Sequence, residues 1–157
     1  MKNNANLIDL YIGKNLKISF PKAAVISNDD RSLFVFSEKN KTYRAKNPNK
    51  KIGCKLQIDG QLYLGNIKKC DNGLLLEDSR FFLIELKGVN VCYACEQLLT
   101  TSKQLKQDYK GYNFDFFYRI VSRQGLPPKT NTKEQIFKRI MGKDKVVIKE
   151  NLLEEDI

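Results

Sequence analysis

The chain has 157 residues, of which 41% are hydrophobic, and its 28 lysines and arginines against 18 aspartates and glutamates give a net charge of +10. This length predicts one globular domain, and the sequence contains neither a secretory-type apolar start nor the roughly 20 apolar residues of a membrane span, so we expect a cytoplasmic protein. Histidine is absent, which excludes enzymes that depend on a histidine base and zinc sites that require imidazole.

Short apolar and β-branched runs predict strands in the first half of the chain. The segments AAVIS (23–27) and SLFVFS (32–37) read as strands on either side of the turn NDDR. The segment KLQIDGQLYLG (55–65) predicts a hairpin around Asp59-Gly60, because Asp-Gly is a preferred turn dipeptide. The N-terminal part should therefore be rich in β-structure.

A second predicted hairpin joins NGLLLE (72–77) to FFLIELKG (81–88) through a turn at Asp78-Ser79. Residues 81–86 are apolar on both alternating faces, as in a strand that is buried on both sides. The strand nevertheless ends in two charged residues, Glu85 and Lys87, which share one face because they are two positions apart.

The hydrophobic period becomes helical after Gly88, with Asn90 as the N-cap of a helix that runs to about Tyr109. The residues that share its predicted inward face are Val91, Ala94, Cys95, Leu98, Ser102 and Leu105. This helix should pack its apolar side against the predicted sheet.

Three further elements follow the first helix. Segment 114–122 predicts an aromatic, β-branched strand, 131–143 a capped helix with Ile136 and Ile140 facing inward, and 145–149 a final strand. This order predicts crossover units on a mixed sheet.

The four cysteines, Cys54, Cys70, Cys92 and Cys95, are too few for a disulfide framework in a chain of this length, and we expect free thiols. Cys92 and Cys95 match a Cys-x-x-Cys string inside a predicted helix. A zinc site would need a second pair at suitable spacing, which the sequence lacks, so buried thiols are the preferred interpretation.

Positive charge is concentrated between Lys39 and Lys69, where nine basic residues face one acid, Asp59. Such a segment favours a polyanionic partner, nucleic acid first, because neutralised phosphates release counterions. The candidate nucleic-acid-binding residues are Lys46, Lys50, Lys51, Lys68 and Lys69. A solvated lysine-rich loop is the alternative, and a membrane surface is disfavoured because no amphipathic helix accompanies the charge.

The hairpin turn at Asp78-Ser79 has a consequence for Asp71. Pairing Glu77 with Arg80 brings Asp71 opposite the stretch from Glu85 to Lys87, within one residue of register. Two carboxylates and an ammonium group are thus predicted to meet at one end of a sheet. Oxygen ligands in this number favour magnesium or manganese, and a neighbouring lysine suits stabilisation of a phosphate. An ordinary ion pair between Glu85 and Lys87 at a strand end is the alternative.

In these residues the chain resembles the PD-(D/E)XK nuclease superfamily, which has the restriction-endonuclease-like fold. The matching residues are Asp71 before one strand, Glu85-Leu86-Lys87 at the end of its hairpin partner, and a helix that follows. The resemblance implies that Asp71, Glu85 and the Leu86 carbonyl ligate the metal and that Lys87 serves the attacking water. Gln97 resembles, more weakly, a glutamine that some members carry on this helix; a polar residue on a helix flank is the alternative.

Together these observations predict one α/β domain on the border of α+β, with a central mixed sheet flanked by helices and a restriction-endonuclease-like core. We divide it into a β-rich basic part (1–70), a catalytic core (71–149) and an acidic tail (150–157). The predicted activity is that of a magnesium- or manganese-dependent nuclease, with DNA favoured over RNA and a restriction, repair or junction-resolving role; a homodimer is compatible with this class. A catalytically inactive nucleic-acid-binding module and a protein that docks an acidic partner are the alternatives.

Overall fold

A computed structural model describes residues 7–13, 16–86, 90–123 and 132–157. Within these ranges the chain forms eleven strands and two α-helices. The strands are β1 Leu7–Ile12, β2 Leu16–Pro21, β3 Val25–Asp29, β4 Leu33–Glu38, β5 Lys41–Lys46, β6 Gly53–Gln57, β7 Asn72–Leu76, β8 Arg80–Glu85, β9 Asp115–Ser122, β10 Val146–Glu150 and β11 Leu152–Asp156. The helices are α1 Val91–Asp108 and α2 Thr132–Met141. The structure is thus a mixed α+β fold, and no helix of the described ranges is long and apolar enough to cross a bilayer.

The main sheet has six strands in the order β10-β9-β8-β7-β6-β3. Strands β3, β6, β7 and β8 are antiparallel neighbours, whereas β8, β9 and β10 run parallel to one another. Parallel neighbours need a crossover connection, which α1 supplies between β8 and β9 and α2 supplies between β9 and β10. The predicted alternation of strands and helices on a mixed sheet is therefore confirmed.

Helix α1 begins where the sequence predicts. The side-chain oxygen of Asn90 accepts a hydrogen bond from the Tyr93 backbone amide at 3.0 Å, which satisfies one of the free amides of the first turn. All six residues of the predicted inward face are buried. The helix and its N-cap are confirmed.

Strand β8 is buried on both faces and separates two hydrophobic clusters. Phe81 and Leu83 face the cluster that contains α1, the β1–β2 hairpin and Phe137 of α2, whereas Phe82 and Ile84 face the other cluster. The continuous apolar run of β8 reflects this position, since neither face meets water.

A second sheet, in the order β11-β5-β4, covers the face of the main sheet opposite the helices. The expectation that helices flank the main sheet is therefore correct for one face and wrong for the other. In the second sheet β4 and β5 form a two-residue hairpin, in which Lys39 and Asn40 both have positive φ, as a type I′ turn requires. Strands on this face alternate buried and exposed residues because their outer side meets water.

The segment 150–157, which the sequence suggests to be an acidic tail, contains β11. This strand pairs in parallel with β5, and Leu153 and Ile157 enter the second hydrophobic cluster. Leu153 is the buried residue of β11, and Glu155 on the same side of the strand bonds to Tyr43 and Arg119, whereas Glu154 is exposed and pairs with Lys46. The strand at 145–149 is confirmed as β10, but it is not the last strand of the chain.

An ion pair between the buried Arg119 and the partly buried Glu155 ties β11 to the main sheet. The guanidinium of Arg119 donates to Glu155 Oε2 at 2.9 Å, and Tyr43 donates its hydroxyl hydrogen to Glu155 Oε1 at 2.8 Å. The same guanidinium lies 5.3 Å from the ring centre of Phe82 and 5.6 Å from that of Phe117. Arg119 is thereby surrounded by aromatic rings and one carboxylate.

The predicted hairpin around Asp59-Gly60 is wrong. Strand β6 is present, but residues 61–65 form no strand, and only an isolated bridge joins Asp59 to Tyr63. The amides of Leu62 and Tyr63 donate to the Ile58 carbonyl, so the chain turns in a helical manner after β6. Strand β6 instead pairs with β3 and β7, which leaves no free edge for the predicted partner.

The helix at 131–143 is confirmed as α2 over Thr132–Met141, but its inward face is wrong; the predicted cap at 131 lies outside the described residues. Ile140 is 64% exposed and Ile136 is also exposed, whereas Phe137 is only 6% exposed. The ring of Phe137 packs edge-on against that of Tyr118, with 5.4 Å between the ring centres. This aromatic contact decides which side of the helix faces the sheet.

Candidate functional site

The candidate site lies at the end of the β7–β8 hairpin, where Asp71 precedes β7 and Glu85 ends β8. In the hairpin, Leu75 pairs with Phe81 and Asn72 pairs with Ile84, so the next position along the ladder places Asp71 opposite Glu85. The register predicted from the turn is thus confirmed within one residue. The tight turn between β7 and β8, together with the burial of β8 on both faces, fixes which residues pair at this end of the hairpin.

The carboxylates of Asp71 and Glu85 each accept a hydrogen bond from a backbone amide that belongs to, or adjoins, the other residue. The Asp71 amide donates to Glu85 Oε2 at 3.2 Å, and the Leu86 amide donates to Asp71 Oδ2 at 3.2 Å. Glu85 is fully buried and Asp71 is half-buried. The structure therefore brings the two predicted carboxylate ligands together, and the backbone holds them in one place.

The carbonyl of Asp71 closes a loop. It accepts hydrogen bonds from the amides of Ile58 and Asp59 at 3.0 and 3.4 Å, so the two ends of the segment between β6 and β7 are bonded to each other. The sequence suggested a turn at Asp59, and the structure shows that this turn begins a long loop that returns to the candidate site.

Gln97 lies on the buried side of α1, only 3% exposed, and it contacts the chain just before Asp71. Its side-chain amide nitrogen donates to the Lys69 carbonyl at 2.9 Å. Its side-chain oxygen is buried and accepts no hydrogen bond from the residues that the structure describes. An unsatisfied buried acceptor is costly, and it is the kind of group that a cation or a bound water satisfies.

Leu86 and Lys87 complete the predicted motif. Leu86 is buried, and its backbone amide is one of the two groups that hold the site together. Lys87 lies outside the described residues. The assignment of Lys87 therefore stays a prediction from the sequence.

Cys70 precedes Asp71 and is completely buried beside the site. Burial raises the pKa of its thiol well above the usual range, and the nearby Glu85 carboxylate raises it further. A thiol with a raised pKa stays protonated at neutral pH. All four cysteines are free thiols, as the sequence predicts.

The donor atoms of the site fit a hard divalent cation. Asp71 and Glu85 offer carboxylate oxygens and Leu86 a backbone carbonyl, and oxygen ligands are those that magnesium and manganese prefer. Among the described residues no three His, Cys, Asp or Glu side chains converge on a metal position. Two carboxylates are nevertheless sufficient for magnesium, which usually keeps several water molecules and takes one or two carboxylates from the protein.

Asp78, the other acid of the hairpin, lies at the opposite end, in the turn. Its carboxylate bonds to Lys51 Nζ at 2.8 Å and to Arg80 Nε at 3.0 Å. These partners hold the pKa of Asp78 below its usual value, against the opposing effect of partial burial. Asp78 is a turn residue and makes no part of the candidate site.

The structure does not gather the candidate nucleic-acid-binding lysines into one free basic patch. Lys46 pairs with Glu154 of β11 at 2.6 Å, and Lys68 pairs with Glu96 of α1 at 2.6 Å. Lys51 is the partner of Asp78 in the hairpin turn. Acids that are distant in sequence therefore neutralise part of the positive segment.

The remaining two candidate lysines have contrasting environments. Lys69 is buried and donates to the Gly65 carbonyl at 2.6 Å, so it stabilises the loop that returns to Asp71. Lys50 is exposed in the turn between β5 and β6. Lys50 is consequently the member of the set best placed to meet a phosphate directly.

Sequence reasoning missed Thr101, which lies one helical turn beyond Gln97. Its hydroxyl accepts a hydrogen bond from the Cys70 amide at 2.9 Å and donates to the Gln97 carbonyl at 2.7 Å. The spacing of four residues from Gln97 places both side chains on one face of α1, and this spacing was the signal that could have identified Thr101.

Comparisons of the chain with family models, with curated proteins and with solved structures found no match.

Proposed function

We propose that the protein is a metal-dependent nuclease that hydrolyses phosphodiester bonds, with DNA favoured over RNA. The observation that carries this proposal is the juxtaposition of Asp71 and Glu85, whose carboxylates are each bonded to a backbone amide next to the other. Like charges placed together repel, and a divalent cation between them removes that repulsion.

The order of elements around the site supports the same proposal. An acid before one strand, a hairpin, Glu-x-Lys at the end of the next strand and a following helix are the features on which the resemblance to the PD-(D/E)XK superfamily rests. Asp71, β7, β8 and α1 occur in that order, and β9 then lies parallel to β8. We infer a restriction-endonuclease-like core on this basis.

In the proposed mechanism Asp71, Glu85 and the Leu86 carbonyl would hold magnesium or manganese. A bound cation of this kind lowers the pKa of water and neutralises charge on a phosphate. Lys87 would orient the attacking water and stabilise negative charge on the phosphate. The role of Gln97 follows from the resemblance alone, and its observed contact is with the Lys69 carbonyl. Burial of Glu85 lowers the local dielectric, which strengthens each of these interactions.

The test is incubation of the purified protein with plasmid, linear duplex, single-stranded DNA and RNA, with magnesium, with manganese and with a chelator. The proposal expects cleavage that requires the cation and is lost in the chelator. Nucleic-acid binding without cleavage in any metal would instead identify an inactive binding module. Failure to bind nucleic acid at moderate salt would favour an acidic protein partner for the basic segment.

A further inference from the structure

Two side chains of α1 hold both polar atoms of the peptide group that joins Lys69 to Cys70, one peptide group before the one that carries the Asp71 amide. Gln97 donates to the Lys69 carbonyl, and Thr101 accepts from the Cys70 amide at 2.9 Å. Because Thr101 also donates to the Gln97 carbonyl at 2.7 Å, the two contacts form one hydrogen-bonded unit. Helix α1 is thus hydrogen-bonded to the segment that leads into the candidate site.

The contact of Thr101 cannot be replaced by solvent. Thr101 is 1% exposed and Cys70 is completely buried, so the Cys70 amide depends on this hydroxyl as its acceptor. A buried amide without an acceptor is costly, and the segment would move to recover a hydrogen bond. The next residue along the chain is Asp71.

The backbone of Asp71 itself is held from two other directions. Its amide donates to Glu85, and its carbonyl accepts from Ile58 and Asp59. Thr101 supplies the third restraint, which acts on the preceding peptide group and comes from a different element. A displacement at Cys70 would therefore change the geometry of the hydrogen bond from the Leu86 amide to the Asp71 carboxylate.

We propose that Thr101 is a positioning residue that fixes the Asp71 carboxylate and, through it, sets the affinity of the site for a divalent cation. This inference rests on the proposed nuclease function for its metal-binding part. Residues that orient a metal ligand typically change metal affinity by about 10- to 100-fold when they are removed. Thr101 does not contact substrate in this role; it acts through Cys70 and Asp71.

Four variants test the proposal. Thr101→Val removes the hydroxyl but keeps the side-chain shape, Thr101→Ala removes it without adding a methyl group near Cys70, and Thr101→Ser keeps it. Ser102→Ala is the matched control, because Ser102 is equally buried and donates within the helix to the Leu99 carbonyl. Thermal melting identifies which variants are folded.

The first measurement needs neither metal nor activity. In nuclear magnetic resonance spectra of the metal-free protein, Thr101→Val and Thr101→Ala should shift the Leu86 amide signal, whose hydrogen atom is bonded to Asp71. Thr101→Ser and Ser102→Ala should leave it close to the wild-type position. An unshifted Leu86 amide in a folded Thr101→Val or Thr101→Ala protein overturns the inference, whatever the protein's activity is.

The second measurement is manganese binding by calorimetry, together with cleavage at increasing manganese concentration. Thr101→Val or Thr101→Ala should bind manganese about 10- to 100-fold more weakly and recover cleavage at high manganese, whereas Thr101→Ser should match the wild type. Unchanged manganese affinity in both hydroxyl-free variants overturns the inference and leaves the nuclease proposal standing. A wild-type protein that binds no manganese and cleaves no nucleic acid overturns the nuclease proposal itself, and with it the metal-binding part of this inference.

Discussion

The Asp71 backbone amide and the Glu85 carboxylate are joined by a hydrogen bond of 3.2 Å across the open end of the β7–β8 hairpin. The Glu85 carboxylate thus fixes the backbone at Asp71. Leu86, the neighbour of Glu85, returns a hydrogen bond to the Asp71 carboxylate, so each acid is bonded to the backbone beside the other. Substitutions at the two ends of this hairpin should therefore have very different effects.

Asp71→Asn should abolish metal-dependent cleavage, whereas Asp78→Asn should leave it largely intact. Asp71 is a proposed metal ligand, while Asp78 lies in the turn at the far end and bonds to Lys51 and Arg80. Loss of these partly exposed ion pairs should cost about 1 kcal/mol or less of unfolding free energy. Both variants should be assayed on one substrate. An inactive Asp78→Asn beside an active Asp71→Asn would show that the site is wrongly placed.

Lys87→Ala should lower the cleavage rate by roughly 100-fold or more while nucleic-acid affinity is kept, which is the usual effect of losing one electrostatic catalytic contact. Lys103→Ala, an exposed lysine of α1, is the matched control. Calcium should support binding without efficient cleavage. Full activity of Lys87→Ala would refute the assignment of this lysine.

Charge neutralisation in the basic segment should affect nucleic-acid binding unequally. The sequence alone suggests that replacing Lys46, Lys50 and Lys51 with glutamine flattens the slope of log affinity against log salt by up to about three charges. Since Lys46 and Lys51 are already paired with acids, we now expect Lys50→Gln to account for most of the change, about 0.9 in slope. Binding at a series of salt concentrations measures it.

A companion variant tests the same argument in the opposite direction. Glu154→Gln removes the partner of Lys46 and should raise affinity for nucleic acid, because the lysine is then free to meet a phosphate. If neither Lys50→Gln nor Glu154→Gln changes the salt slope, the segment from Lys39 to Lys69 is not a nucleic-acid-binding surface.

Glu155→Ala should destabilise the protein by about 3 to 5 kcal/mol, the usual cost of leaving a buried charge without its partner. Arg119 is buried between Phe82 and Phe117, and Glu155 is its carboxylate partner. Glu154→Ala, one residue earlier but more exposed, should cost about 1 kcal/mol or less. Chemical denaturation compares them, and equal losses would mean that the buried pair contributes no more than a surface one.

The native protein should react with iodoacetamide mainly at Cys92 at pH 8. Burial raises the pKa of Cys54 and of Cys95 to about 12, and it also raises that of Cys70, so these three thiols stay protonated and unreactive. Cys92 is the one cysteine that is partly exposed. Mass spectrometry of the alkylated protein locates the label, and rapid labelling of Cys70 would contradict the burial of the candidate site.

The parts of the structure that could be predicted from sequence are those governed by neighbours in the chain. The Asp78-Ser79 turn predicts the pairing of β7 with β8 to within one residue, and the observed ladder, in which Leu75 pairs with Phe81, places Asp71 opposite Glu85. The helical face of α1 and its Asn90 cap likewise depend on residues within one or two turns.

The parts that could not be predicted depend on contacts between distant segments. Nothing near residue 152 indicates that the acidic segment pairs with β5, since its partner lies more than a hundred residues earlier. The inward face of α2 is decided by Phe137 against Tyr118, and not by the two isoleucines that fit the same helical spacing. Thr101 was missed because its role depends on a segment some thirty residues away.

The position of β8 between two hydrophobic clusters has a consequence for the motions of the site. Its amides are paired with strands on both sides and are shielded from water on both faces, so they should be among the slowest in the protein to exchange with deuterium. Asp71 stands at the end of a long loop and should open more readily. Glu85 would then belong to the most rigid part of the molecule and Asp71 to a segment that can open. Assembly of the site would depend on the return of the Asp71 segment to its place beside β8.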